Sequence, residues 1–170
     1  NYNIISIDLP GFGGSPLPDT PFQLDAIAQH IGLFLLQKGV TSCLVAGHSL
    51  GGYVALEIAR QFPDLLKGLV LFHSTAYADT PEKKASRDKV ITFVDEHGAQ
   101  AFTRNFITPL FANASHPGIA TAKAIALQAT ASAVKMYTIA MRDRPDYLQV
   151  LAGFNMPVLF IAGRHDGGIS

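Results

Sequence analysis

Residues 43–60 read Cys-Leu-Val-Ala-Gly-His-Ser-Leu-Gly-Gly-Tyr-Val-Ala-Leu-Glu-Ile-Ala-Arg, and this stretch decides the fold. The apolar run at 43–46 predicts a strand, the glycine-rich segment 47–52 a sharp turn, and the residues from Tyr53 onward a helix. Glycines beside the serine are needed because strand and helix pack too closely there for larger side chains. The turn forces Ser49 into a sparsely populated backbone conformation and presents its hydroxyl as a nucleophile.

Further apolar runs predict a sheet of parallel strands. Residues 3–8, 68–72 and 157–162 are short and aliphatic, and segments with helical spacing such as 22–37 separate them. Strands that are apolar throughout indicate a parallel sheet covered by helices on both faces. Catalytic groups in such sheets gather at the carboxyl ends of the strands.

The stretch 79–145 interrupts this alternation, because it contains no convincing strand pattern. Its spacing predicts several helices, the first starting at 79–82 with a capping residue, a proline and an acid, and ending near Gly98. The predicted division is a core of residues 1–78 and 146–170 with an all-helical insertion at residues 79–145.

Composition and charge exclude several classes of partner. The 170 residues are 48% hydrophobic, and 13 basic residues balance 13 acidic ones. No net field therefore attracts nucleic acid or an anionic membrane. The sequence also lacks an apolar run of about 18 residues and a signal-peptide pattern. Together with the single cysteine, Cys43, which is expected in a buried strand, this favours a cytoplasmic protein.

No cofactor or metal is expected. The turn at residues 8–15 is glycine-rich, but prolines rather than a helix follow it, so it does not fit a dinucleotide loop. No Lys-Ser or Lys-Thr follows the glycines of 47–52, which argues against a phosphate loop. The histidine, cysteine and acidic residues show no metal-ligand spacing.

Three motifs resemble those of the α/β-hydrolase family. Residues 47–52, Gly-His-Ser-Leu-Gly-Gly, are similar to its nucleophile elbow. Residues 8–15, Asp-Leu-Pro-Gly-Phe-Gly-Gly-Ser, resemble the turn after the preceding strand, and residues 163–166, Gly-Arg-His-Asp, resemble the turn that carries the catalytic acid. The resemblance implies a partial α/β-hydrolase fold, in which a parallel sheet is flanked by helices and carries an inserted helical cap.

The resemblance also implies catalytic roles. Ser49 is the expected nucleophile, the backbone N–H of Leu50 the first oxyanion donor, and Asp166 the acid that orients a histidine base. Asp79, near the end of the predicted strand at residues 68–72, is the alternative acid. The family's order of serine, acid and histidine places the base beyond Ser170. We therefore expect a chain truncated at both ends, without its catalytic histidine or its second oxyanion donor.

None of the six histidines occupies the position of that base. His48 is the variable residue of the elbow, and His73 directly follows the predicted strand at residues 68–72. Both are therefore expected to line the substrate pocket. If His73 both hydrogen-bonds to Ser49 and contacts Asp166, the expectation of a missing base fails. The other expected pocket residues come from the helical insertion: Phe102, Phe106, Met136 and Tyr137.

Together these features predict a serine hydrolase that cleaves a small carboxylic ester, lactone or thioester through an acyl-enzyme on Ser49. Its partner is a small ester-like molecule, and the 170 residues alone are expected to turn over little substrate. A serine at the elbow, where the resemblance implies an aspartate for dehalogenases and epoxide hydrolases, disfavours those activities. A carbon-carbon hydrolase, a lyase, an acyltransferase and a non-catalytic small-molecule binder or receptor are the alternatives. The sequence gives no oligomeric state.

Overall fold

A computed structural model describes residues 3–19, 22–164 and 166. The strands are β1 (Cys43–His48), β2 (Leu66–Phe72) and β3 (Val158–Ile161). The α-helices are α1 (Leu24–Gln37), α2 (Leu50–Gln61), α3 (Pro81–Phe106), α4 (Gly118–Ala126), α5 (Ala131–Arg142) and α6 (Leu148–Ala152), and 3₁₀ turns span Pro63–Leu65 and Thr108–Leu110.

The three described strands form a parallel sheet in the order β1-β2-β3, which confirms the predicted fold class. His48 at the end of β1 lies opposite Phe72, and Phe72 lies opposite Ile161 of β3. The carboxyl ends of all three strands are therefore level. The residues that follow them, including Ser49 and His73, emerge at one edge of the sheet.

One face of the sheet is covered by α2, against which α1 packs. Leu69 and Leu71 of β2 are buried on this face, and Leu56 of α2 is buried above them. The opposite face is not covered by the described residues, contrary to the expectation of helices on both sides. Its apolar side chains are exposed, namely Leu44, Phe72, Leu159 and Ile161.

The predicted strand at residues 3–8 is wrong. These residues are extended, but none of the described strands pairs with them, and Ile4 is 87% exposed. A strand is stabilised by its ladder hydrogen bonds, so an aliphatic run without a partner stays irregular. The following turn is ordered locally, because the Asp8 carboxylate accepts the backbone N–H of Gly14 at 2.9 Å.

The stretch 79–145 is helical, and among its described residues no strand occurs. Helix α3 is interrupted at Gly98, whose φ of 83° and ψ of 163° lie outside the helical region. The predicted end of a helix near Gly98 is thereby confirmed. Glycine allows this interruption because it carries no Cβ to clash at positive φ.

The described residues group into two compact units. The sheet unit comprises Phe22–Asp88 and Ile139–Ser170, and the helical unit comprises Asn1–Pro21 and Lys89–Thr138. These boundaries differ from the predicted core and insertion, since the N-terminal residues belong with the helices.

The N-terminal turn joins the helical unit through Tyr137 of α5. The Tyr137 hydroxyl donates to the carbonyl of Pro10 at 2.9 Å, and the Phe12 ring lies 5.1 Å from the Tyr137 ring. That residues 79–145 act as a cap over an active site stays a prediction.

In the sheet unit, the segment after α5 is anchored to helix α2 by buried polar side chains. The Tyr147 hydroxyl donates to Glu57 Oε1 at 2.7 Å, and both residues are buried. The Arg144 guanidinium lies 4.0 Å from the centre of the Tyr53 ring. Because Tyr53 and Glu57 belong to the helix that follows Ser49, this segment fixes the helix that carries the elbow.

Replacing Tyr147 with phenylalanine removes one hydrogen bond to a buried carboxylate and keeps the ring. We expect Tyr147→Phe to lower the free energy of unfolding by about 1–3 kcal/mol, because Glu57 Oε1 loses a buried donor. Urea denaturation followed by circular dichroism measures the change. The control is Tyr77→Phe, since Tyr77 is 55% exposed, and its effect should stay within about 0.5 kcal/mol. Equal effects of the two variants would contradict the anchoring role.

Candidate active site

The elbow holds Ser49 in an unusual backbone conformation, with φ of 50° and ψ of −114°. Its N–H donates to the carbonyl of Phe72 at 2.9 Å, so the turn is tied to the end of β2. Its carbonyl accepts the Ser74 hydroxyl and the Gly52 N–H, each at 2.9 Å. A non-glycine residue at positive φ is strained, and such strain persists only where surrounding bonds enforce it.

Two glycines of the elbow are required by close contacts. A Cβ added to Gly47 would lie 2.2 Å from the Gly51 carbonyl oxygen, and one added to Gly52 would lie 2.2 Å from Ser74 Oγ. A Cβ on Gly51 would meet nothing within 4 Å. The predicted steric reason for glycine therefore holds at Gly47 and Gly52, while Gly51 is free of it.

The N–H of Leu50 is available as an oxyanion donor. Leu50 is the first residue of α2, and its N–H has no hydrogen-bond partner among the described residues. The N-terminus of a helix carries partial positive charge, which stabilises an anion placed there. This geometry suits the predicted role of Leu50.

The structure joins His73 to Asp166. His73 Nδ1 donates a hydrogen bond to Asp166 Oδ2, and the His73 and Asp166 side chains are 30% and 20% exposed. Asp166 is presented by a turn in which its own N–H donates to the Gly163 carbonyl at 3.0 Å. The sequence predicted both residues near the site but not this bond between them.

A base within this chain requires that His73 hydrogen-bonds to Ser49 and also contacts Asp166, and this condition is met only in part. His73 contacts Asp166, but in the described part of the chain the Ser49 hydroxyl makes no hydrogen bond to His73. The expectation that the base lies elsewhere therefore stays a prediction. His165, the neighbour of Asp166, lies outside the described residues.

His48 projects at the same edge of the sheet. Its ring lies 5.2 Å from the Phe72 ring and 5.9 Å from the His73 ring. Burial lowers the pKa of His48, and the neighbouring His73 lowers it further, while Asp166 acts in the opposite direction. An exposed imidazole in this place is compatible with the predicted pocket-lining role.

The alternative acid, Asp79, belongs to a different group. Its carboxylate is buried and pairs with Arg144 Nη1 at 2.7 Å and with the Nε of Arg87. Burial raises the pKa of Asp79, but the hydrogen bonds from Arg87 and Arg144 outweigh this and lower it overall. Because both oxygens serve these ion pairs, the geometry favours Asp166 over Asp79 as the acid.

The predicted pocket residues of the insertion lie in the helical unit. Phe102 and Phe106 stack with ring centres 5.0 Å apart and line a groove of about 330 Å³ together with Val90 and Phe93. Met136 is half-buried.

Tyr137 is a correction to the predicted pocket. It is 2% exposed, packs on Phe12 and bonds to the Pro10 carbonyl, so it is a core residue that does not face a ligand. Burial also raises the pKa of its hydroxyl far above the ordinary value.

Ser74 is a site residue that the sequence analysis missed. Its hydroxyl supports the Ser49 carbonyl, and it follows His73 directly at the end of β2. The signal that could have found it is positional: in a parallel sheet, polar residues just after neighbouring strands meet at one edge.

The described residues contain neither a group of side chains placed to bind a metal ion nor a helix able to span a membrane. Within residues 3–19, 22–164 and 166, no group of three or more histidine, cysteine or acidic side chains is placed to hold a metal ion. Of the helices in the described ranges, none is long and apolar enough to cross a bilayer.

Comparison with known proteins identifies the family. A family model for the alpha/beta hydrolase fold matches residues 1–92, which is more than half of the chain. The chain therefore belongs to the alpha/beta hydrolase fold family. This agrees with the parallel sheet, the strained Ser49 and the turn after β3 that carries Asp166.

Two curated relatives are similar to parts of the chain. A pimeloyl-acyl-carrier-protein methyl ester esterase of Aeromonas salmonicida is 38% identical over 76 residues, which are 44% of this chain and 28% of the esterase. Epoxide hydrolase 3 of Xenopus tropicalis is 26% identical over 108 residues, which are 62% of this chain and 27% of that protein.

A solved structure extends the similarity over most of the chain. The thermophilic esterase of Thermogutta terrifontis, with malate bound, superposes with a TM-score of 0.82 and 30% sequence identity. The match covers 90% of this chain and 58% of the esterase. The chain thus spans about a quarter of the curated relatives it matches and under two thirds of this structure.

Replacement by alanine should affect stability differently at the adjacent glycines Gly51 and Gly52. We expect Gly52→Ala to lower the free energy of unfolding by about 1–3 kcal/mol, because the new methyl group overlaps Ser74. Gly51→Ala should be neutral or stabilising by up to about 1 kcal/mol, because alanine favours the helix and meets no neighbour. Urea denaturation of both variants measures the difference. Destabilisation by Gly51→Ala equal to that by Gly52→Ala would show that the close contact with Ser74 is not the constraint.

Proposed function

We propose that the protein carrying this chain is a serine hydrolase that cleaves a small carboxylic ester, lactone or thioester. The observation that carries the proposal is the elbow, in which a strained Ser49 stands beside the Leu50 N–H at the start of α2, a donor that no described residue occupies. A nucleophile and an anion-stabilising donor on neighbouring residues are what acyl transfer requires.

The reaction proceeds through an acyl-enzyme. The Ser49 hydroxyl attacks the substrate carbonyl while a histidine base takes its proton, and the Leu50 N–H donates to the oxyanion of the tetrahedral intermediate. The protonated base gives its proton to the leaving alcohol or thiol. Water then attacks the acyl group, with the same base as proton acceptor, and Ser49 is released as the free hydroxyl.

Asp166 is the proposed acid that orients the base. Its carboxylate lies after β3, two strands away from the elbow strand and at the same edge of the sheet. We assign the base to a histidine that follows Asp166 in the whole protein, in keeping with the order of serine, acid and histidine in this family. A carboxylate paired with the base fixes the tautomer and stabilises the imidazolium that forms.

The substrate class follows from the chemistry of the nucleophile and from two relatives. The Aeromonas relative is named for a methyl ester, and the Thermogutta structure is that of an esterase. Similarity to an epoxide hydrolase favours ring opening, but a serine that opens an epoxide becomes an ether. Water cannot release that ether by carbonyl attack, whereas it does release a serine ester. Ser49 therefore favours acyl substrates over epoxides.

A non-catalytic binder of small molecules is the competing function, since members of one fold need not share an activity. The strained conformation of Ser49 argues against it. A binding site needs no serine at positive φ, and the three hydrogen bonds that enforce it serve the presentation of a nucleophile.

Turnover of p-nitrophenyl acetate by the whole protein tests the proposal. Ser49→Ala should lower kcat/KM at least about a thousandfold, because the hydroxyl that forms the acyl-enzyme is gone. The matched control is Ser42→Ala, an exposed serine just before β1, at the other end of the elbow strand. It should leave kcat/KM unchanged.

Two results would contradict the proposal. Wild-type protein without turnover of acetyl, butyryl and thioacetyl esters and of a simple lactone would favour the binder. Turnover that survives Ser49→Ala would place the chemistry at another residue.

A further inference from the structure

We propose that His73 is a positioning residue for Asp166, distinct from the histidine base, and that its hydrogen bond holds the carboxylate in the orientation that the base needs. This inference rests on the proposed function. It assigns a role to a residue for which the sequence indicated only pocket lining.

The topology places His73 between the nucleophile and the acid. His73 follows β2, the central strand of the described sheet, while Ser49 follows β1 and Asp166 lies beyond β3. A side chain at the end of the central strand can reach a group on either neighbour. The observed bond is made toward the acid, from His73 Nδ1 to Asp166 Oδ2.

The backbone of His73 is fixed for this task. Its φ is 46°, a left-handed conformation that non-glycine residues rarely adopt. Its N–H donates to the carbonyl of Ile161 at 2.8 Å, which ties it to the end of β3. Strain of this kind persists where neighbouring structure enforces it, and it marks functional positions.

The imidazole ring is also held by two close neighbours. The Phe72 ring contacts it edge-to-face, with ring centres 4.7 Å apart and planes at 81°. Gly163 approaches the ring so closely that an added Cβ would lie 2.9 Å from Cε1 of His73. The ring therefore has little freedom, and the bond to the carboxylate is preorganised before any substrate binds.

The contacts of Ser49 and Asp166 favour a role for His73 in positioning the acid over a role as the base. Among the described residues the Ser49 hydroxyl does not bond to His73, whereas Asp166 does. A carboxylate has about four acceptor sites on its two oxygens, so a bond from His73 is compatible with a second bond from the base. A bond to a charged acceptor in a partly buried place is stronger than a neutral one.

Two substitutions at position 73 distinguish the effect of the side-chain hydrogen bond from the effect of backbone strain. Glycine and asparagine both tolerate a φ of 46°, so neither adds strain. Asparagine keeps an N–H donor near the place of Nδ1, but it has no group that could serve as a base at neutral pH. Glycine has no donor at all.

The experiment measures the rate at which a fluorophosphonate modifies Ser49 in the whole protein. We expect His73→Gly to lower this rate about tenfold, the usual effect of losing one hydrogen bond to a charged group. His73→Asn should restore it to within about threefold of wild type. In an Asp166→Asn background, His73→Gly should cause no further loss, because the bond that it removes no longer has its charged acceptor.

Several outcomes would overturn the positioning role. Wild-type rates in both His73 variants would show that the bond has no effect on the site. A loss of both rates to well below the level of an Asp166→Asn variant would identify His73 as the base itself. A wild-type protein in which Ser49 does not react would instead refute the proposed function, and the positioning role with it. Melting temperatures of all variants distinguish these results from unfolding.

Discussion

The close approach of β1 and α2 is the constraint on which the rest of the site depends. Gly47 allows it, since a Cβ there would meet the Gly51 carbonyl, and Gly52 lets the same helix approach Ser74 after β2. Ser49 is left with a positive φ, enforced by the bond that its N–H donates to Phe72 and the bond that its carbonyl accepts from Ser74. The same short turn starts α2 directly after the serine, so the proposed nucleophile and the proposed oxyanion donor, the Leu50 N–H, are made by one backbone feature.

The parallel sheet turns that local feature into a site. Because the strands end level, the residues after β1, β2 and β3 meet at one edge, and His73 bonds to Asp166 there although 93 positions separate them. Buried bonds behind the elbow keep α2 in place, above all that from Tyr147 to Glu57. The proposed chemistry thus relies on two supports, one from the end of β2 and one from the segment that returns after α5.

Local sequence signals predicted most of this arrangement. Apolar runs bounded by glycine identified three strands, and the pattern around Ser49 predicted its strained turn, because both depend on neighbours in sequence. The prediction of a strand at residues 3–8 failed because a strand needs a pairing partner, and an aliphatic run does not show whether one is present. Tyr137 and the bond from His73 to Asp166 were missed for a related reason: burial and side-chain contacts across 93 or more positions depend on the tertiary structure.

The central claim is that Ser49 becomes covalently acylated. Acid quenching of the whole protein during turnover of p-nitrophenyl butyrate, followed by peptide mass spectrometry, tests it most directly. The account predicts a butyryl group on the peptide that contains Ser49, present at steady state and lost as substrate is exhausted. Ester hydrolysis without an acylated Ser49, with the acyl group on another residue instead, would contradict it.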